Sequence, residues 1–200
     1  MRDLLVSAEE ELARISHLTK QSLGFYRETK EAAPIRIGPI LDQLTSVLAT
    51  RIRNKVVDLR SEVRDDPEIY AVADEIRHLI TNLLSNSIDA VTRGGRIRVR
   101  ISPAKEWNEN GRSGVRLTVA DSGSGIPQAV QSELFEPFFT TKKNVGTGLG
   151  LWLCKGIVER HHGSIRVKSS IVPRNSWTVF LVFLPSSGPK SGAQPLREAV

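Results

Sequence analysis

The stretch from Asp121 to Leu151, DSGSGIPQAVQSELFEPFFTTKKNVGTGLGL, constrains this chain most. It holds two glycine clusters, Asp121-Ser122-Gly123-Ser124-Gly125 and Gly146-Thr147-Gly148-Leu149-Gly150. Between them lie Phe135, Phe138 and Phe139 and the basic pair Lys142 and Lys143. Glycine lets a backbone turn tightly and lets a ligand approach the main chain. A glycine loop that runs into a helix start presents unpaired N–H groups to an anion. An apolar-periodic segment follows Gly150 at once, so the second cluster reads as a phosphate-cradling loop with a cation nearby. Short glycine clusters also occur in plain turns, so other segments must carry part of the argument.

Two hundred residues permit one domain with a sizeable core and an appended helical element. The net charge is +6 and the pI about 9.8. Lysine and arginine are scattered, with no basic run and no interleaved aromatics, so nucleic acid is not expected as a partner. An anionic small ligand and solvated faces account for the balance. The one cysteine, Cys154, excludes an internal disulfide and a cysteine-based zinc site. It lies in an apolar helical stretch and reads as packed. No apolar run approaches about 18 residues and no signal-peptide pattern opens the sequence. A cytoplasmic setting without a membrane segment is expected.

Residues 3–31 read as one long helix, with Leu5, Ala8, Leu12, Ile15, Leu18, Ser22 and Phe25 at three- and four-residue steps. Such a stripe needs a partner, and a homodimer through this helix is expected. His17 lies beside the stripe and reads as a helix-surface histidine. Pro34 ends the helix. A second helix is expected over 39–53, a strand over 54–63, a turn at Asp65-Asp66-Pro67 and a short strand at 69–71. Residues 73–92 form the strongest helix, with Ile76, Leu79, Ile80, Leu83, Leu84, Ile88 and Val91 on its buried face. Asn82 and Asn86 stand four apart on one side of it, and Asp89 lies three further on. Asparagine is a mediocre helix former, so two in mid-helix suggest a polar ligand at that face.

Strands follow at 96–102 and 115–120, joined by a polar connection, and the second delivers Asp121 at its end. Arg96, Arg98 and Arg100 alternate with Ile97, Val99 and Ile101 and read as a solvated face. A helix over 149–162 and strands at 164–171 and 177–184 complete the order. From 186 the composition turns to Ser, Gly, Pro and Lys and reads as a disordered tail, 186–200. Helices segregated over a mixed, largely antiparallel sheet give an α+β fold, a two-layer α/β sandwich preceded by one long helix. The expected units are 1–33, the dimerisation-type helix, and 38–185, the main domain.

Three pieces converge on one nucleotide site: the asparagine helix, the loop at Asp121 and the loop at Gly146–Gly150. An amide oxygen suits Mg²⁺, which prefers oxygen ligands. A carboxylate at a strand end can accept from an exocyclic amine such as adenine's. Neither a P-loop nor a Rossmann fingerprint is present.

The chain resembles the ATP-binding catalytic domain of sensor histidine kinases, within the group that includes gyrase, Hsp90 and MutL ATPases. Asn82-Leu-Leu-Ser-Asn86-Ser-Ile-Asp89-Ala90 resembles its N box, and Asp121 to Gly125 its first glycine box. Phe135-Glu-Pro-Phe-Phe-Thr-Thr-Lys142 resembles the F box, and Gly146 to Gly150 the second glycine box. The resemblance implies ATP and Mg²⁺ as cofactors, with Asn86 on the metal, Asn82 helping at the phosphates and Asp89 among the ATP-binding residues. It implies Asp121 on the adenine amine, Gly123 and Gly125 at the base pocket, and Lys142, Gly146, Thr147, Gly148, Leu149 and Gly150 in a mobile lid. Thr178 matches a threonine that supports the carboxylate. His162 and Trp177 stand where the family commonly has glycine.

Residues 11–28 look like the second helix of the family's dimerisation and phosphotransfer hairpin. The helix that would carry the phosphoacceptor histidine has no counterpart in the sequence, so the acceptor is expected elsewhere. Where relatives that hydrolyse ATP carry a glutamate base, this chain has Asn82, which cannot serve as one. The function implied is transfer of the γ-phosphoryl group to a histidine, with a response regulator or phosphotransfer domain as partner. Two alternatives stay open: a serine kinase regulating a sigma factor, and a non-catalytic ATP-binding interaction module.

Overall fold

The structure, a computed structural model, describes residues 31–106, 111–140 and 147–187. The expected helix over 3–31 with His17, the residues Lys142 and Gly146, and positions 188–200 lie outside them. Five strands form one mixed sheet in the order β2-β4-β5-β7-β6: β2 (Asp58–Val63), β4 (Arg96–Lys105), β5 (Ser113–Asp121), β6 (Ser164–Ser170) and β7 (Trp177–Pro185). Strand β2 runs parallel to β4, and every other pair is antiparallel. Helices α1 (Ile37–Val47), α3 (Ala73–Ala90) and α5 (Gly150–Arg160) bury their apolar residues against Ile97, Val99, Leu117, Val119, Phe180 and Val182 of the sheet. The α+β sandwich expected from the sequence is the fold observed.

Helix α3 forms where the 3.6-residue period is cleanest. Its buried residues run Ile76, Leu79, Ile80, Leu83, Leu84, Ser87 and Ile88. Asp74 and Glu75 lie in its first turn, where carboxylates complement the helix dipole. At the other end Lys55 Nζ donates to the carbonyls of Ile88, at 2.6 Å, and Asp89, at 2.9 Å. A lysine there satisfies carbonyls that the helix itself leaves open. His161, buried after α5, accepts from Val72 N–H through Nε2 at 3.1 Å and faces Ile157 O through Nδ1 at 2.8 Å. It ties the end of α5 to the start of α3.

Several boundaries differ from the sequence expectation. The helix expected over 39–53 starts at Ile37 and breaks at Leu48 into α1 and α2 (Ala49–Asn54), which leaves Leu48 buried and Val47 exposed. Its start is held from 29 residues away. The Asp66 carboxylate accepts from Ile37 N at 3.1 Å and from Gly38 N at 2.6 Å. The strand expected over 54–63 begins only at Asp58, because Asn54 ends α2 and Val56 turns in the left-handed region at φ 54°. Val56 and Val63 are both exposed, so they add nothing to the core.

Two short elements were not expected. One is β1 (Ala33–Ile35), which pairs with β3 (Ile69–Ala71); the other is α4 (Gln128–Gln131). Strand β4 runs three residues beyond the expected end and includes Pro103. Ile101 O, on the same strand edge as Pro103 N, already bonds Arg64 just past the end of β2. No ladder partner stands opposite Pro103 on that edge, so its missing N–H goes unneeded. Ser186, the first residue of the expected tail, still bonds Tyr70 N and Ser113 O through its backbone.

Candidate nucleotide-binding site

Asp121 ends β5 in the middle of the sheet, in register with Ile97 of β4 on one side and Thr178 of β7 on the other. It faces the helix layer and is 5% exposed. A buried carboxylate needs hydrogen-bond donors. Gly123 N–H donates to Oδ1 at 2.9 Å and the Ser87 hydroxyl to Oδ2 at 3.1 Å. Burial pushes the Asp121 carboxyl above the usual carboxylate range, while Gly123 and Ser87 pull it back.

The first glycine loop is packed too closely for side chains. A Cβ on Gly123 would stand 2.7 Å from Asp121 Oδ1 and 2.8 Å from Ala90 of α3. Gly125 has φ +74°, and a Cβ there would meet Ser170 O at 2.0 Å. The loop is fastened by hydroxyls. Ser176 Oγ donates to Gly123 O at 2.7 Å, and Ser169 Oγ receives Ile126 N–H at 2.8 Å. Ser169 spends its one proton on Trp177 O at 2.7 Å, so Thr178, 3.1 Å away, donates to Ser169. Thr178 thus sits beside Asp121 in the ladder and supports the Gly125 loop through Ser169; the hydroxyl on the carboxylate is Ser87's.

The second glycine loop meets the asparagine helix. Gly148 has φ +70° and lies against the Phe138 backbone, which a Cβ would approach to 2.3 Å. Leu149 is the N-cap of α5, and Thr147 Oγ1 accepts its N–H at 3.4 Å. At Gly150, the first residue of α5, a Cβ would stand 3.4 Å from Asn82 Oδ1. Asn82 therefore lies at the N-terminus of α5, where helix amides have no internal acceptor. Cys154, buried behind this helix start, turns its thiol to Leu79 O at 3.9 Å, and burial pushes that thiol up to about 12.

Asn86 lies one turn beyond Asn82 and is half-buried. Asp89 turns towards α2. Its carboxylate pairs with Arg51 Nη2 at 2.7 Å, and Arg51 Nη1 reaches Ser85 Oγ at 3.2 Å. Among the residues expected at the site, the structure gathers Asn82, Gly150, Asp121, Gly123, Gly125 and Thr178 on the helix-side end of β5 and β7. Ser87 and Ser169 are additions. A serine in phase with Leu83 and Val91 on a buried helix stripe was the signal for Ser87.

These are the elements of a nucleotide pocket on a sheet–helix sandwich, and residues 71–188 match the family described as histidine kinase-, DNA gyrase B-, and HSP90-like ATPases. The chain belongs to this family. The sensor histidine kinase ZraS of Salmonella typhimurium is 32% identical over 182 residues, covering 90% of this chain and 34% of ZraS. The C4-dicarboxylate transport sensor protein DctS of Rhodobacter capsulatus is 34% identical over 173 residues, covering 84% of this chain and 24% of DctS. The chain thus spans about a third of the length of the curated relatives it matches first. Among solved structures, the catalytic domain of histidine kinase ThkA superposes with a TM-score of 0.66 at 27% identity, covering 79% of this chain and 99% of that one. The family's description, ATPases, agrees with an adenine-nucleotide pocket at Asp121.

Proposed function

We propose that the chain is the catalytic core of a two-component sensor histidine kinase, which transfers the γ-phosphoryl group of ATP to a histidine outside this sequence. The observation that carries the reading is the pairing of a buried Asp121 carboxylate with a site whose helix offers Asn82 in place of a carboxylate base. Asp121, held by Ser87 and Gly123, accepts a hydrogen bond from the adenine amine. The Gly123–Gly125 loop lets the base lie against main chain. The N-terminus of α5, from Thr147 to Gly150, meets the polyphosphate with Lys142. Asn86 and Asn82 present amide oxygens, a donor set that fits Mg²⁺ arriving on a nucleotide with its own phosphate oxygens. When bound, the metal neutralises phosphate charge.

Phosphoryl transfer is mostly positioning and electrostatic stabilisation. An amide at position 82 orients but does not take a proton from water, which favours an external nucleophile over hydrolysis. The stripe over 3–31 supplies the dimerisation helix. A response regulator is the partner in a solved complex of ThkA, 26% identical at a TM-score of 0.67, and we assign the same kind of partner here. Among the described residues no helix is long and apolar enough to cross a membrane, and a cytoplasmic setting fits the reading.

The test is label transfer from γ-labelled ATP, with and without an added fragment carrying an acceptor helix. Acid-labile, base-stable label on that fragment is expected. MgATP binding without any such label would remove the histidine kinase reading and favour a different acceptor.

A further inference from the structure

Among the described residues, only one face of the sheet is covered by helices. On the other face, strand alternation lines up Asp58, Arg60 and Glu62 of β2, and Arg64 just past its end, with Arg96, Arg98 and Arg100 from β4. Arg116 follows on β5, and Arg166 and Lys168 on β6. That makes eight cations against two carboxylates, an excess of six. The formal net charge of the whole chain is also +6, so all other residues together sum to zero. The entire net charge of the protein stands on one sheet face. At the far end Arg112 and Glu106 neutralise each other at 2.6 Å and do not alter the count.

The face already shows what it binds. Arg98 holds Asp58 at 2.7 Å and Arg100 holds Glu62 at 2.8 Å, while Arg60 and Arg64 share the same two carboxylates. Arg98 beside Asp58 and Arg64 beside Glu62 keep both carboxyls below their usual values. Between the cations runs a half-buried strip of Thr118, Ala120, Val179 and Leu181. We propose that this open sheet face docks a carboxylate-rich surface of a partner protein.

Three features favour that occupant. Seven of the eight cations are arginine, whose planar fork matches a carboxylate in two places. An apolar centre with an arginine-rich surround is the anatomy of a protein–protein interface. A β-sheet is rigid, so little ordering is needed on binding. A second copy of the chain would bring the same positive charge. Single-stranded nucleic acid would call for a row of exposed stacked aromatics, and the two on this face, Trp177 and Phe183, stand at opposite ends of β7, with Phe183 fully buried. A membrane contact would call for a broad exposed apolar surface, whereas the strip is half-buried between charged side chains.

The test is fluorescence anisotropy with labelled poly-L-glutamate, a DNA duplex and vesicles of anionic phosphatidylglycerol, at ionic strength of about 0.15 M, where long-range charge effects are screened. Two charge-equivalent double variants are compared. Arg96→Glu with Lys168→Glu lies on the face; Arg53→Glu with Lys155→Glu lies on the helix layer. The face pair should weaken polyglutamate about tenfold and the helix pair less than twofold. Arg96→Gln with Lys168→Gln should give an intermediate loss and guards against misfolding. Equal losses from the two Glu pairs would overturn the proposal. So would a steeper dependence on the face pair for duplex or vesicles than for polyglutamate.

Discussion

The Ser87 hydroxyl lies 3.1 Å from Asp121 Oδ2, across the interface between α3 and the centre of the sheet. Ser87 is 1% exposed, so no water replaces it. It follows directly on Asn86, so one turn of α3 serves both the carboxylate and the amide side of the site. Ser87→Ala should cost about 1.5–3 kcal/mol, the range for a hydrogen bond to a charged group. Urea unfolding reads this directly. An unchanged midpoint with unchanged nucleotide affinity would contradict the role given to Ser87.

Asp121 should make the nucleotide-free protein less stable at neutral pH. Its carboxyl is raised above the ordinary aspartate value of about 3.8, mainly by burial. Its contribution to stability is therefore whole below that value and is lost as pH rises through the raised one. Asp121→Asn keeps the shape and can still bond Gly123 N–H and Ser87. Without nucleotide, the variant should melt at or above the wild type at pH 7, and the difference should shrink as pH falls towards about 4. A variant less stable at pH 7 by the same margin at every pH would contradict this.

Gly125 and Gly94 separate backbone strain from crowding. Both have positive φ, +74° and +80°. A Cβ on Gly94 would meet nothing within 4 Å, whereas on Gly125 it would meet Ser170 O at 2.0 Å. Gly94→Ala should cost only the left-handed backbone term, about 1 kcal/mol, and Gly125→Ala at least about 1 kcal/mol more. Equal costs by chemical denaturation would show that the loop moves away from β6 freely.

His162 occupies a glycine's place. It has φ 54°, and its N–H bonds Glu159 O at 2.9 Å while Gly163 N–H bonds Val158 O at 2.9 Å. That is the helix-ending pattern in which the left-handed residue is usually glycine. His162→Gly should stabilise the domain by about 1 kcal/mol. A lower melting temperature would mean that the imidazole makes a compensating contact.

What could be read in the sequence follows physical range. Helix α3 and strands β4, β5 and β7 carry strong local periods, so their buried faces and the position of Asp121 were legible. Strand β1 was not. It has three residues, one of them Pro34, and exists because β3 lies opposite. Asp66 looked like a turn residue because its role, capping α1, spans 29 positions. Thr178 was expected to support the Asp121 carboxylate; it lies opposite Asp121 in the ladder, but its hydroxyl goes to Ser169, because the one proton of Ser169 is spent on Trp177 O. Trp177, the other departure from glycine, points to the open sheet face, away from the site. The arginine alternation in β4 was legible, whereas the sum over four strands that concentrates the charge was visible only in the register.

The most direct test of the account is calorimetric titration of wild type and Asp121→Asn with MgATP and MgGTP. The carboxylate accepts from the exocyclic amine of adenine and opposes the carbonyl that guanine offers there. Wild type should bind ATP and reject GTP, with a discrimination of about 100-fold or more, because a mismatched buried polar group is left unpaired. The variant should lose most of that preference. Equal binding of ATP and GTP by the wild type would contradict the account.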